Sequence, residues 1–161
     1  MRYYTIVSGI GSHYTKIGSF DRALLNANIG NYSLVKVSSI LPAGCERKKT
    51  IELRDGSILY TAYTCFSAEQ GSIFSSAIAV GLPQRNVDIG IIMEYSGFVD
   101  VKNAKNIVAG MVDEAMQVRG ISVKSIIGRE IDSKSVRLDN IKNNIITTFV
   151  GIALWDANRI N

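Results

Sequence analysis

The sequence predicts a layered α/β protein, and three observations carry that expectation. Seven short runs are rich in β-branched and aromatic residues and punctuated by glycine, and two stretches have helical periodicity. Two of the β runs, Ile89-Gly90-Ile91-Ile92-Met93 and Thr148-Phe149-Val150-Gly151-Ile152-Ala153-Leu154-Trp155, are apolar on both faces, as strands covered on each side must be.

Strands are expected at Tyr3 to Ser8, Ser33 to Leu41, Ser57 to Phe66, Ser72 to Val80, Ile89 to Tyr95, Ile121 to Ile131 and Ile145 to Trp155. After the first strand, Gly9-Ile10-Gly11-Ser12-His13 reads as a Gly/Ser-rich turn with an exposed histidine. Phe20 to Asn28 reads as a helix of about two turns, with Ser19 as N-cap, Asp21 complementing the positive end and Gly30 allowing the exit. The second helix runs from Asp100, its N-cap, to Arg119, with Gly120 as the stop. Ile107, Val108, Met111, Val112, Ala115, Met116 and Val118 give it a broad apolar stripe. Asp156 to Asn161 reads as a loose tail.

Length and composition fit one domain with a substantial core: 161 residues, 47% hydrophobic and 20% charged, which excludes a disordered chain. Eighteen Lys+Arg against fourteen Asp+Glu leave a net charge of +4. The basic residues are scattered, Arg47-Lys48-Lys49 being the densest run, so no nucleic-acid partner is expected. Cys45, Cys65 and the lone His13 supply too few ligands for a zinc site within one chain, and no metal is expected. No apolar run reaches the roughly 18 residues of a membrane span, and the N-terminus lacks an export signal. A cytoplasmic protein with reduced thiols is the expectation.

Conventional catalytic constellations are poorly supplied. A Ser-His-Asp or Cys-His mechanism would have to use His13, and no Gly-x-Ser-x-Gly elbow is present. Gly9-Ile10-Gly11 hints at a phosphate-binding turn, but the third glycine of a dinucleotide fingerprint and the lysine of a P-loop are missing. The cysteines read as small buried thiols.

The unusual feature is a serine doublet inside an apolar strand, Val35-Lys36-Val37-Ser38-Ser39-Ile40-Leu41-Pro42. Strand alternation alone sends Ser38 and Ser39 to opposite faces, one buried and hydrogen-bonded and one exposed. Glu94 stands in the very apolar run Gly90-Ile91-Ile92-Met93-Glu94-Tyr95, where desolvation would raise its pKa as a general acid requires; the alternative is a strand-end carboxylate paired with a lysine or arginine. Asp21 on its helix reads, from the residues alone, as charge complementarity with the helix N-terminus.

Three segments taken together, Phe20-Asp21-Arg22-Ala23-Leu24-Leu25-Asn26-Ala27-Asn28-Ile29-Gly30-Asn31, the Val-Ser-Ser-Ile-x-Pro segment and Ile91-Ile92-Met93-Glu94-Tyr95-Ser96-Gly97, resemble the pyruvoyl-dependent arginine decarboxylases. The likeness runs to the Ala153-Leu154-Trp155 ending. It implies an α/β/β/α sandwich assembled as a homotrimer, sometimes a hexamer, with active sites between neighbouring subunits. It also implies scission between Ser38 and Ser39, leaving chains 1–38 and 39–161. The Ser39 hydroxyl would attack the Ser38 carbonyl; elimination and hydrolysis would then leave a covalent pyruvoyl group at position 39, doing the work of pyridoxal phosphate by condensing with the substrate amine.

By the same resemblance Glu94 is the proton donor and Asp21 holds the substrate guanidinium. Gly30 and Tyr32 line the pocket, and Leu24 and Leu25 form an apolar wall or part of the core. The product would be agmatine. Two departures stand out: Ser33 replaces an asparagine implicated in self-cleavage, with Asn31 nearby, and Pro42-Ala43 replaces a Pro-Pro pair. A pyruvoyl enzyme for another amino acid and an unprocessed, non-catalytic trimer partner are the alternatives.

Overall fold

The computed structural model describes residues 1–69, 71–135 and 144–157. In chain order the elements are β1 (Tyr3–His13), α1 (Lys16–Asn26), β2 (Ser33–Lys36), β3 (Ile40–Leu41), β4 (Glu46–Arg47), β5 (Ile58–Glu69), β6 (Ser75–Pro83), β7 (Gly90–Gly97), α2 (Val101–Val118), β8 (Val123–Asp132), a 3-10 turn (Ser133–Ser135) and β9 (Ile145–Trp155). They form two sheets, β2-β5-β9-β1-β4 and β3-β7-β6-β8.

Strand alternation builds the layers. Along β9, Phe149, Ala153 and Trp155 point outward and pack with Ala23 and Ala27 of α1, while Val150, Ile152 and Leu154 point inward against Ile78, Val80 and Ile92 of the other sheet. On that sheet's outer face, Ala77, Ala79 and Ile91 meet Ala104, Val108, Val112 and Met116 of α2. The result is the expected α/β/β/α sandwich, with two strands apolar on both faces because both faces are covered. No helix among the described residues is long and apolar enough to cross a membrane.

Several sequence expectations are corrected. The Gly9-to-His13 segment is not a turn: β1 continues through His13 and pairs residue for residue with β9. Its glycines serve helix packing, since a Cβ on Gly9 would lie 2.0 Å from Ala23 O and one on Gly11 2.2 Å from Ser19 O. The first helix begins earlier than expected. Thr15 is its N-cap, accepting from the Gly18 amide at 3.2 Å, and His13 Nδ1 accepts the Thr15 amide at 3.1 Å. Ser19 lies buried inside the helix, bonded to Lys16 O and to Thr147 Oγ1.

Asp21 is therefore the sixth helical residue, beyond the turn in which a carboxylate gains from the dipole. The expected strand from Ser33 to Leu41 is two strands in different sheets. A two-residue strand at Glu46–Arg47 was not expected; it pairs with β1. Asp100 caps α2 as expected, accepting from the Asn103 amide at 2.8 Å, but Val118 is 78% exposed, whereas Ala104, outside the expected stripe, is buried. Asp156 is tied down by the Arg2 amide at 2.6 Å; the last four residues of the expected tail, 158–161, lie outside the described residues. Both cysteines are free, and burial pushes the Cys45 thiol up to about 11.

Substituting Gly9 by Ala forces α1 backbone away from β1 and is expected to destabilise the fold by about 2–3 kcal/mol in urea unfolding. Gly110→Ala, in an exposed part of α2 with open space around the new Cβ, is expected to stabilise by about 0.5–1 kcal/mol.

Candidate active site

The serine doublet sits where the chain crosses between the sheets. β2 is an edge strand of one sheet and β3 an edge strand of the other. Val37 still donates its amide to Thr61 O of β5 at 3.2 Å, and two residues later Ser39 O already accepts from the Ile92 amide of β7 at 2.9 Å. Ile40 donates back to Ser38 O at 2.8 Å. Ser38 is exposed and Ser39 half-buried, so the peptide between them is reachable at the open edge of the sandwich.

Glu94 is brought beside this crossing by register. Ile40 faces Ile91, and the Ile92 bond extends that pairing to Ser39. Glu94 is then the diagonal neighbour of Ser39, roughly 7–8 Å away between Cα atoms. It lies between Ile92, which packs in the inner layer, and Ser96, which bonds Thr64 of the opposite sheet at 2.8 Å, so its side chain belongs to the inter-sheet face. Glu94 Oε2 is the one buried side-chain oxygen or nitrogen without a hydrogen-bond partner among the described residues. Burial raises its pKa above the ordinary carboxylate value, and the Lys36 ammonium opposes this. The strand-end ion pair considered from sequence is not formed among the described residues.

A second group gathers on the outer face of the β2-edged sheet. Asp21 is exposed on α1 and has no hydrogen bond or ion pair among the described residues. Leu24 packs partly into the outer core, while Leu25 is 50% exposed. Gly30 follows in the loop, where a Cβ would strike Leu25 at 2.7 Å. Tyr32 donates to Leu53 O at 3.3 Å, and burial raises its pKa. Asn31 is engaged with Asp55 Oδ2 at 2.9 Å. Ser33 is exposed at the start of β2; five residues of extended chain, roughly 16 Å, separate it from Ser38.

The structure thus brings Ser38, Ser39 and Glu94 together, and leaves Asp21, Gly30, Asn31, Tyr32 and Ser33 apart from them within one chain. Sequence reasoning missed Lys36, whose Nζ lies 4.8 Å from the Tyr63 ring centroid and whose charge reaches both Glu94 and Cys65. A lysine inside an otherwise apolar strand was the available signal.

The accessible serine doublet thus lies beside a desolvated carboxyl whose Oε2 has no partner among the described residues. The family model for pyruvoyl-dependent arginine decarboxylase matches residues 3–158. The chain is 43% identical over 117 residues to the pyruvoyl-dependent arginine decarboxylase of Pyrococcus furiosus, covering 70% of this chain and 72% of the relative. It is 32% identical over 152 residues to that of Methanocaldococcus jannaschii, covering 94% and 88%. The chain belongs to the pyruvoyl-dependent arginine decarboxylase family, whose cofactor is a covalent pyruvoyl group rather than pyridoxal phosphate.

Because the folded-state pKa of Glu94 is raised, its contribution to stability is present below the unfolded value and lost as pH rises through the folded one. Glu94→Gln, which carries no charge, is expected to unfold at higher urea than wild type at about pH 7, and the difference is expected to shrink towards about pH 4. Equal pH dependence in the two proteins would contradict a desolvated Glu94.

Proposed function

We propose that this protein converts L-arginine to agmatine and carbon dioxide, using a pyruvoyl group made from Ser39 by scission of the Ser38–Ser39 peptide. The observation that carries this reading is the doublet at the sheet crossing, with the partnerless Glu94 carboxyl oxygen beside it. Those residues fit the group: a hydroxyl adjacent to an accessible carbonyl to generate it, and an acid to serve it. A pyruvoyl group at position 39 supplies a ketone that condenses with the substrate amine and a neighbouring carbonyl that takes up the electron pair released with carbon dioxide.

The remaining chemistry falls to side chains of this chain. Burial favours the protonated form of Glu94, which makes it the donor to the substrate α-carbon. Asp21, unpaired and solvent-facing, can accept two parallel N–H bonds from a guanidinium, a geometry that the single ammonium of lysine cannot reproduce. Leu24 and Leu25 provide apolar wall, and Gly30 and Tyr32 shape the loop beside it. Asp21 and Glu94 lie on opposite faces of the β2-edged sheet, so a complete site takes Asp21 from one subunit and Ser39 with Glu94 from its neighbour. This supports a homotrimer, with pairing into a hexamer compatible with it. In this reading the enzyme works in the cytoplasm on a free amino acid, as the first reaction of a polyamine route.

Ser39→Ala is expected to remain a single full-length band on denaturing electrophoresis and to show no decarboxylation. Asp21→Asn is expected to cleave normally but raise KM for arginine by about 10–100-fold, the loss of a charge-assisted bidentate contact. Glu94→Gln is expected to cleave normally and lose about 10²–10⁴-fold in kcat. An unchanged arginine preference in Asp21→Asn across a panel of amino acids would remove that residue from the substrate pocket.

A further inference from the structure

We propose that the backbone amide of Ile40 is the oxyanion donor for scission between Ser38 and Ser39, so that the strand entry itself activates the peptide; this deepens the reading above and rests on it. The amide donates to Ser38 O at 2.8 Å, closing a three-residue turn centred on Ser39. Ser39 is not among the residues with positive φ, so the turn is the unstrained, inverse form common at strand ends.

The sheet register explains why this amide is free for the task. Ser39 and Ile92 are hydrogen-bonded partners, and bonded and non-bonded pairs alternate along an antiparallel ladder. The Ile40 amide therefore points away from β7, on the outer side of an edge strand, where such groups ordinarily face water. Here it turns back onto the carbonyl that must be attacked. Meanwhile the Ile92 amide pins the next carbonyl at 2.9 Å and holds residue 39 in the turn. The other donors considered are elsewhere: Asn31 is bound to Asp55, and Ser33 stands at the far end of β2.

The step balances without a co-reactant. Ser39 Oγ bonds to the Ser38 carbonyl carbon, and the carbonyl π pair moves onto the oxygen held by Ile40. The hydroxyl proton passes to the amide nitrogen of residue 39, the carbon–nitrogen bond breaks as the carbonyl re-forms, and the product is an ester with a free amine. The negative charge develops on an oxygen that already has a fixed donor. Loss of such a donor typically slows a reaction by about 10²–10³-fold.

The test replaces Ile40 in the full chain by its α-hydroxy acid through nonsense suppression, exchanging the amide N–H for an ester oxygen. Fragments of the purified precursor are timed by denaturing electrophoresis and located by mass. Scission at 38–39 is expected to slow at least about 10-fold, whereas the same exchange at Leu41, whose amide faces β7, is expected to leave the rate within about 3-fold of wild type. An Ile40 ester that cleaves at the wild-type rate overturns the proposal while leaving the pyruvoyl reading intact. A wild-type chain that never cleaves overturns both. If the ester protein does not fold, amide hydrogen exchange in uncleavable Ser39→Ala decides: a protected Ile40 amide supports the bond to Ser38, and exchange at the rate of a solvent-exposed amide refutes it.

Discussion

One constraint shapes the site: a single chain passes from one sheet of the sandwich to the other within three residues. Val37 is fixed to Thr61 of the first sheet, and Ile40 is paired with Ile91 of the second. The Val37 amide is bonded to one sheet and the Ser39 carbonyl to the other, so the link is fixed at both ends within two residues. Both carbonyls of the doublet are held on backbone donors, which fixes the conformation of the Ser38–Ser39 peptide. Because both strands it joins are edge strands, that peptide is also accessible. Fixed geometry and access are what the proposed scission requires of this dipeptide.

The same crossing determines the electrostatics. β7 carries Glu94 onto the inter-sheet face, where its neighbours along the strand pack against the opposite sheet. Water cannot solvate a carboxylate there as it does at the surface, so the neutral acid is favoured. Lys36, two residues before the doublet, pulls in the other direction and keeps the site from being wholly apolar. Asp21 is exposed, unpaired among the described residues and too far along α1 for the helix dipole to account for it. A desolvated carboxyl and an exposed carboxylate are two environments that one fold supplies on opposite faces of a sheet.

Much of this was legible in the sequence because periodicity reports burial. β9 was legible because Phe149 to Trp155 are apolar on both faces, and α2 because Asp100 and Gly120 mark its ends. The failures have a common cause: long-range packing overriding local preference. Gly9 and Gly11 look like a turn, yet they are strand residues cleared of side chains so that α1 can approach. Lys16-Ile17-Gly18 is a poor helix start on propensity, and it is held by Thr15 and the ring of His13. The doublet was conspicuous as polar residues in an apolar run, but no alternation pattern tells that a strand changes sheets midway. Residue type and resemblance pointed to Ser39 and Glu94, while the position of Lys36 and the bonds of the Ile40 and Ile92 amides required coordinates.

Breaking the peptide need not dismantle the protein. All eleven residues of β1, which precede the break, pair with β9, which follows it, and α1 is packed on that same sheet. The interactions that position the site would therefore survive the proposed scission. Intact mass spectrometry of catalytically active, purified material tests this account most directly. It predicts two polypeptides, one ending at Ser38 and one beginning at position 39 with no free amine and a terminus that reacts with carbonyl reagents. An active preparation consisting of one unbroken chain, with unmodified serine at both 38 and 39, would contradict it.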